Sequence, residues 1–282
     1  MLIPDLPKAL EEGMKKEKPS NEWDEKKLHV SDLAVSLENP EDRKCPRQLW
    51  LRIHGAKKQE LSAGKMLMFD NGQRLHDRVV ELLRKGLPEG WNVEGAEESV
   101  SQQLPEGLTG RYDCLLSGPK NTLLVVDFKT LRGRAFSYLD KPKPSHELQV
   151  RTYAYALNAS AGMILYIDRE GQNYAKQFII PRNDEQVKKA IEIAKSIVEG
   201  NIPPKLKPSL DIRENKGPNS VKLKEPWQCS YCEYRDVSCN GAVPREFRTS
   251  KIIGYLNEEG FEPKKQFENL RKVVEFLLKE AG

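Results

Sequence analysis

Asp113, Asp127 and Lys129 are the residue types that metal-assisted hydrolysis needs, at a spacing that can bring them together. Asp113 precedes the turn-forming run Ser117-Gly118-Pro119-Lys120-Asn121, and Asp127 follows it. A hairpin centred near Pro119 sets Asp113 opposite a position two residues from Asp127. An even offset keeps both carboxylates on one face of the sheet, within diagonal reach. Lys129 follows Asp127 by two and points to the same face. Paired carboxylates bind a hard cation such as magnesium or manganese through oxygen. Such a cation activates water and neutralises charge building on a phosphate, and a lysine can position that water or stabilise the developing charge. The plain alternative for so short a motif is a strand-end ion pair beside an unrelated turn aspartate.

A second group could also hold metal. Cys229-Ser230-Tyr231-Cys232 is a CxxC, Cys239 follows closely, and Cys45 stands far upstream. Thiolates suit either zinc or an iron–sulfur cluster, and the one-plus-three arrangement leaves both open. Cys114 directly follows Asp113, so it points to the opposite sheet face and is expected in the core.

The elements that must carry these residues are legible from periodicity. Ser31-Asp32-Leu33 reads as a helix start with Ser31 as N-cap, and Cys45-Pro46-Arg47 opens a further helix with Pro46 in its first turn. Residues 67–83 repeat apolar side chains at helical spacing. Strands are expected over 91–103, 108–116 and 122–130, the last apolar on both faces, as in the middle of a covered sheet. A helix over 144–159, strands near 163–168 and 174–180, and a helix over 184–198 complete a mixed α/β core. The stretch from Pro203 to Pro226 is rich in proline and basic residues and reads as an extended connector. Short helices are expected near the N-terminus and, through Phe267, Leu270, Val274, Leu277 and Leu278, in the tail.

The 282 residues can bury a sizeable core. No apolar run is long enough to span a membrane, and the N-terminus lacks the basic and apolar stretches of a secretory signal. A reducing, cytoplasmic compartment is therefore expected, where clustered cysteines bind metal more often than they form disulfides. The net charge of +4 permits nucleic-acid binding without arguing for it.

Further residues fall into a recognisable order around the acidic pair. Gly72-Gln73-Arg74-Leu75-His76 is followed by Gly110-Arg111-Tyr112-Asp113, then Val126-Asp127-Phe128-Lys129, then Gln149-x-x-x-Tyr153. This series resembles the RecB-type branch of the PD-(D/E)XK nuclease superfamily. The resemblance implies a restriction-endonuclease-like α/β core, a central mixed sheet flanked by helices, and divalent-metal cleavage of DNA. By position His76, Asp113 and Asp127 would ligate magnesium or manganese, with the Phe128 carbonyl a further ligand. Lys129 would be the catalytic lysine, and Gln149 and Tyr153 would organise the site and contact DNA. Asp127 occupies a position where many members of the superfamily carry glutamate.

Cys45-Pro46-Arg47-Gln48-Leu49-Trp50 together with the C-terminal cysteines is similar to the iron–sulfur nucleases of the CRISPR-associated Cas-four family. In these a 4Fe–4S cluster, here held by Cys45, Cys229, Cys232 and Cys239, joins N- and C-terminal helical segments around the nuclease core. The implied organisation is an N-terminal extension (1–30), a helical segment with Cys45 (31–66), the nuclease core (67–202), a basic connector (203–226) and a cysteine segment with a C-terminal helix (227–282). Arg132, Arg134, Lys141, Lys143, His146 and Arg151 lie near the site in sequence, with Phe136 and Tyr138 among them, as a single-strand path would have them.

The expected activity is that of a metal-dependent exonuclease on DNA ends or single strands, with a helicase or integrase as a candidate partner and no membrane. CRISPR adaptation, phage DNA processing and repair all fit. Three other readings stand beside it: a structure-specific or nicking endonuclease of the same fold, a non-catalytic DNA-binding or adaptor module, and a zinc-ribbon binding protein.

Overall fold

The computed structural model describes residues 24–60, 62–170, 174–212 and 221–243. The helix expected near the N-terminus and the amphipathic tail beyond Lys264 lie outside the described residues. The described residues form two compact units, one of those up to Gly55 and from 62 to Asn201, the other of Ala56–Glu60 and those from Ile202 to Val243.

The first unit is an α/β fold. Its secondary structure runs β1 (Leu28–His29), a 3-10 helix (Val30–Ser36), α1 (Pro46–Ile53), α2 (Ala63–Gly86), β2 (Asn92–Ser99), β3 (Leu108–Thr109), β4 (Arg111–Gly118), β5 (Thr122–Leu131), α3 (Gly133–Ser137), α4 (Pro144–Ala156), β6 (Ala161–Asp168), β7 (Ala175–Pro181) and α5 (Asp184–Glu199). Five strands form one mixed sheet in the order β2-β4-β5-β6-β7. Neighbours are antiparallel except β5 and β6, which run parallel and are bridged by the α3–α4 crossover. A parallel pair needs such a long connection, which explains why the helices sit between these two strands in the chain.

Each face of the sheet is covered. Cys114, Leu116, Val126 and Phe128 pack beneath Val80 of α2, with Val79, Leu83 and Leu87 alongside. The opposite face buries Val125, Ile164 and Tyr166 against Leu148 and Tyr153 of α4, Val187, Ala190 and Ala194 of α5, and Val30 and Leu33 of the 3-10 helix. Covering on both faces accounts for the unbroken apolar run of β5. Cys114 lies on the face away from Asp113, as its position predicts, and burial pushes its thiol up to about 12.

Helix ends follow the chemistry of their sequences. The Asn183 side chain accepts the Gln186 N–H at 3.0 Å and caps α5, while Pro144 and Pro46 begin α4 and α1 without a wasted amide. The helix expected from Ser31 starts earlier and winds as 3-10. His29 is its N-cap, and the Asp32 carboxylate accepts the His29 N–H at 2.8 Å. Asp32 is buried and answers to two cations: Arg52 pairs with it directly, and Lys44 approaches at 3.4 Å. Arg52 also donates to the Glu25 and Lys27 carbonyls at 2.8 and 3.0 Å, tying the incoming chain to α1.

In the second unit, the described part of Pro203–Pro226 contains paired strands, where its composition predicts an extended connector. Residues Ser209–Ile212 (β8) pair antiparallel with Val221–Lys224 (β9). Pro208 and Pro226 flank the pairing instead of interrupting it, which reconciles the prolines with strands. The short helix α6 (Trp227–Ser230) follows. No helix among the described residues is long and apolar enough to cross a membrane.

Candidate active site

The hairpin that carries the aspartates turns one residue later than expected. Its pairs run Gly118↔Thr122 to Cys114↔Val126, so the centre is Lys120 and not Pro119. Lys120 and Asn121 both adopt left-handed backbone, with φ of 59° and 58°, and the reversal tightens to Pro119–Asn121, which shifts the register. Asp113 consequently faces Asp127 directly across the strands, where a two-residue offset was expected. At this end β4 no longer bonds β5 through its backbone. The Asp113 carboxylate itself accepts the Phe128 N–H at 2.6 Å, replacing the missing ladder acceptor.

The same row contains a third carboxylate. Ala96↔Cys114 and Glu98↔Tyr112 bracket Glu97 opposite Asp113. Glu97, Asp113 and Asp127 therefore stand side by side on three adjacent strands. Glu97 has φ 55°, a left-handed conformation that costs about 1 kcal/mol or more for such a residue. Strain at this position is consistent with a side chain held for function. From α2, His76 reaches into the row, with Nδ1 3.5 Å from Glu97 and 3.6 Å from Asp113. His76, Glu97 and Asp113 offer ligand atoms all within 4.8 Å of one another. The His76 ring is fixed edge-on against Phe128, the centroids 5.4 Å apart.

Asp127 is fully buried. Lys129 Nζ lies 2.8 Å from its Oδ2, yet neither Asp127 oxygen has a hydrogen bond of proper geometry, and neither does Glu97 Oε1. Buried carboxylate oxygens without donors are costly. They are the natural ligands of a hard cation, so this set of oxygens with one imidazole fits magnesium or manganese.

Electrostatics follow from the crowding. Burial, and then the neighbouring Asp127 charge, push the Asp113 carboxyl up to about 7. Burial opposes the Lys129 ammonium, but Asp127 and Asp113 outweigh it and raise its pKa. His76 behaves likewise: burial is outweighed by Glu97 and Asp113, and its pKa is raised. For Glu97, burial is outweighed by His76 and Arg111, and its pKa is lowered. Arg111 Nε lies 2.9 Å from Glu97 and its guanidinium donates to Gln73 Oε1 at 3.1 Å, so α2 and β2 share a brace.

From α4, Gln149 donates to the Tyr153 hydroxyl at 3.4 Å. Tyr153 is buried, and burial together with Asp127 raises its pKa. Gly110 makes this approach possible. A Cβ there would lie 2.6 Å from Val30 Cγ2 and 2.9 Å from Tyr153 Cε1. Both neighbours are themselves buried, so Gly110→Ala is expected to destabilise the fold by about 1–3 kcal/mol and to displace Tyr153. Urea unfolding checks the first effect, and an unchanged midpoint would refute it.

The remaining predicted residues divide. Arg132, Arg134, Lys141 and Lys143 are exposed on the chain after β5. His146 Nδ1 is 2.8 Å from the Tyr166 hydroxyl, and burial, then Lys129 and Lys143, depress its pKa to about 3, so it stays neutral. Arg151 is engaged internally, by Glu147 at 3.2 Å, Gln186 at 2.8 Å and the Pro181 carbonyl at 3.2 Å. Phe136, expected among the aromatics of a strand path, is completely buried in the core, whereas Tyr138 is 78% exposed. Residue types alone could not have singled out Glu97, because Glu94 and Glu98 share the same strand.

In the second unit, Cys229 lies in α6 and Cys232 and Cys239 follow it in the chain. Cys229 is buried, and Cys232 and Cys239 are half-buried. The Cys232 N–H bonds the Cys229 carbonyl at 3.3 Å, the Cys239 N–H bonds the Tyr234 carbonyl at 2.9 Å, and the Asp236 N–H bonds the Cys239 carbonyl at 2.7 Å. Cys45, in the first unit, is the N-cap of α1.

A family model described as the PD-(D/E)XK nuclease superfamily matches residues 10–240. The chain belongs to this superfamily. The five-stranded mixed sheet with its flanking helices is consistent with the superfamily's restriction-endonuclease-like core. Similar solved structures include the crystal structure of SSO0001, at 19% identity, covering 81% of this chain and 91% of that one with a TM-score of 0.44. An alkaline exonuclease from Laribacter hongkongensis matches at 14% identity over 62% of this chain and 87% of its own, with a TM-score of 0.44. A phage related exonuclease from Haemophilus somnus 129PT matches at 15% identity over 61% and 92%, with a TM-score of 0.42. A search of curated protein sequences found no match.

Proposed function

We propose that this PD-(D/E)XK nuclease is a magnesium- or manganese-dependent DNA exonuclease acting on strand ends or single strands. The observation that carries the reading is the row Glu97–Asp113–Asp127 beside Lys129 and His76, half-buried at Glu97 and Asp113 and fully buried at Asp127, with oxygens of Glu97 and Asp127 left without donors. His76, Glu97, Asp113 and Asp127 would hold the cation, with the Phe128 carbonyl as a further ligand. A divalent ion bound there supplies positive charge to the phosphate and acidifies water. Lys129 orients the attacking water and stabilises the charge that grows on phosphorus oxygens. Asp113 fixes the end of β5 through the Phe128 amide, and Gln149 with Tyr153 closes the side of the site under α4.

Preference for ends or single strands is supported by the resemblance of the residue series to the RecB-type branch. The test uses linear and circular single-stranded DNA with either metal, with EDTA as control. Degradation of the linear form alone is expected. Cleavage of the circle would favour the endonuclease reading, and no metal-dependent cleavage of either would favour an adaptor.

The reading extends to Cys45, Cys229, Cys232 and Cys239 as ligands of a structural 4Fe–4S cluster, in a protein working in a reducing cytoplasm. Three thiols close together in the chain suit either this cluster or zinc. Protein purified without oxygen is expected to absorb in the visible blue and to contain iron and sulfide, whereas zinc without iron would replace the cluster in this account.

A further inference from the structure

The strand row next to the carboxylates carries a clamp whose purpose lies outside the chemistry. Lys129 pairs with Tyr166 on β6, and Tyr166 pairs with Lys176 on β7. All three side chains share one face, so Lys176 stands two strand spacings from Lys129, about 10 Å. Its ammonium donates to three backbone carbonyls, those of Phe136, Ser137 and Leu139, at 3.0, 3.3 and 3.1 Å. It also lies 5.1 Å from the centre of the Phe136 ring. These carbonyls lie at and just beyond the C-terminal end of α3, where a cation is favoured. At the far end of the same segment the Tyr166 hydroxyl accepts the Lys143 N–H at 3.1 Å. Phe136 is buried in the core beneath it.

A segment of this length would otherwise be mobile at the mouth of the site. Here Lys176 holds its middle and Tyr166 its far end, both from the row of the sheet that also carries Lys129. What the fixing leaves outside is a set of exposed groups: Arg132, Arg134, Tyr138 and Lys141. Guanidinium and ammonium groups meet phosphates, and an exposed tyrosine ring stacks on an unpaired base. Contacts of this kind bind more tightly when their backbone is already ordered.

We propose that Lys176 is a positioning residue that presets the 132–143 segment as a rigid contact surface for single-stranded DNA, registered to Lys129 through Tyr166. The inference rests on the DNA-cleaving reading and deepens it. Lys176→Met removes the ammonium that joins these three carbonyls to the sheet while touching no reacting group. The variant is expected to raise KM for a single-stranded oligonucleotide about tenfold with kcat changed less than twofold, as loss of ground-state and transition-state binding alike requires. Lys176→Arg, which restores donors, is expected to recover most of the affinity. Arg134→Ala with Tyr138→Ala should weaken binding on its own, but add little in the Lys176→Met background, because the ordered surface is already lost. Full additivity, an unchanged KM, or a fall in kcat alone overturns the proposal. Should Lys176→Met not fold, the Arg134/Tyr138 pair decides, since an unchanged KM there removes the contact surface itself. Oligonucleotide binding measured by anisotropy in EDTA separates the two levels: wild type that binds but does not cleave defeats the nuclease reading while still reporting on Lys176.

Discussion

Asp113→Asn is expected to abolish cleavage and, without metal, to make the protein more stable at neutral and alkaline pH. Loss of activity should be roughly three orders of magnitude, the scale on which one group of a preorganised charged site acts. The gain in stability follows from the raised pKa. In the folded chain burial and Asp127 lift Asp113 from 3.8 to about 7, so the folded state holds this proton more tightly than the unfolded state. Its contribution is intact below the unfolded value and is lost as pH climbs toward the folded one. Asparagine has no proton to lose, while its amide oxygen can still accept the Phe128 N–H. Above pH 7 the metal-free variant should exceed metal-free wild type by on the order of 2–4 kcal/mol. Added magnesium or manganese should then stabilise wild type and leave the variant nearly unmoved. Thermal melts from pH 4 to 8, with EDTA and with metal, test both halves. A variant that melts no higher than wild type at pH 8 in EDTA would show that the carboxylate row stores no repulsion.

Lys129→Met should act in the opposite direction on the fold. The ammonium is the nearest cation to Asp127, at 2.8 Å, and Asp127 has no exposure to water. Removing one partner of a buried pair costs about 3–5 kcal/mol, because the charge left behind has neither solvent nor counter-ion. Cleavage should fall by about a thousandfold. A divalent cation supplies positive charge to the same oxygens, so manganese should restore much of the lost stability but little of the activity. Urea titrations with and without manganese, paired with cleavage assays, read these effects separately. Equal stability of Lys129→Met and wild type in EDTA would refute the assigned burial of this pair.

Much of this site was legible because strand geometry is periodic. Asp127 and Lys129, two apart, had to share a face, and Cys114 had to take the other. The one-residue error in the hairpin arose at Lys120 and Asn121, whose left-handed backbone confines the turn to Pro119–Asn121 and brings Asp113 directly opposite Asp127. Residue types allow several turns in such a run, and each implies a different register. Glu97 stayed hidden for a related reason. Its alignment with Asp113 depends on the β2–β4 pairing, which slips between Val93 and Gly95, and no local pattern records that slip. Phe136 misled in another way: basic neighbours suggested a stacking surface, whereas α3 turns this ring inward and leaves Tyr138 outside. The connector misled because its composition, rich in proline and basic residues, reads as unpaired chain, while Pro208 and Pro226 stand just beyond the ends of β8 and β9.

The parallel pairing of β5 and β6 has a bearing on when the chain becomes dangerous to DNA. His76, Glu97, Asp113, Asp127 and Tyr153 come from five different elements. The β4–β5 hairpin can form early because its contacts are local, but the parallel pair must wait for the crossover to close, and such non-local contacts form slowly. A nascent or partly folded chain thus holds Asp127 and Lys129 without α4 beside them. Competence to cut therefore requires all five elements to be docked together, which the hairpin alone does not achieve.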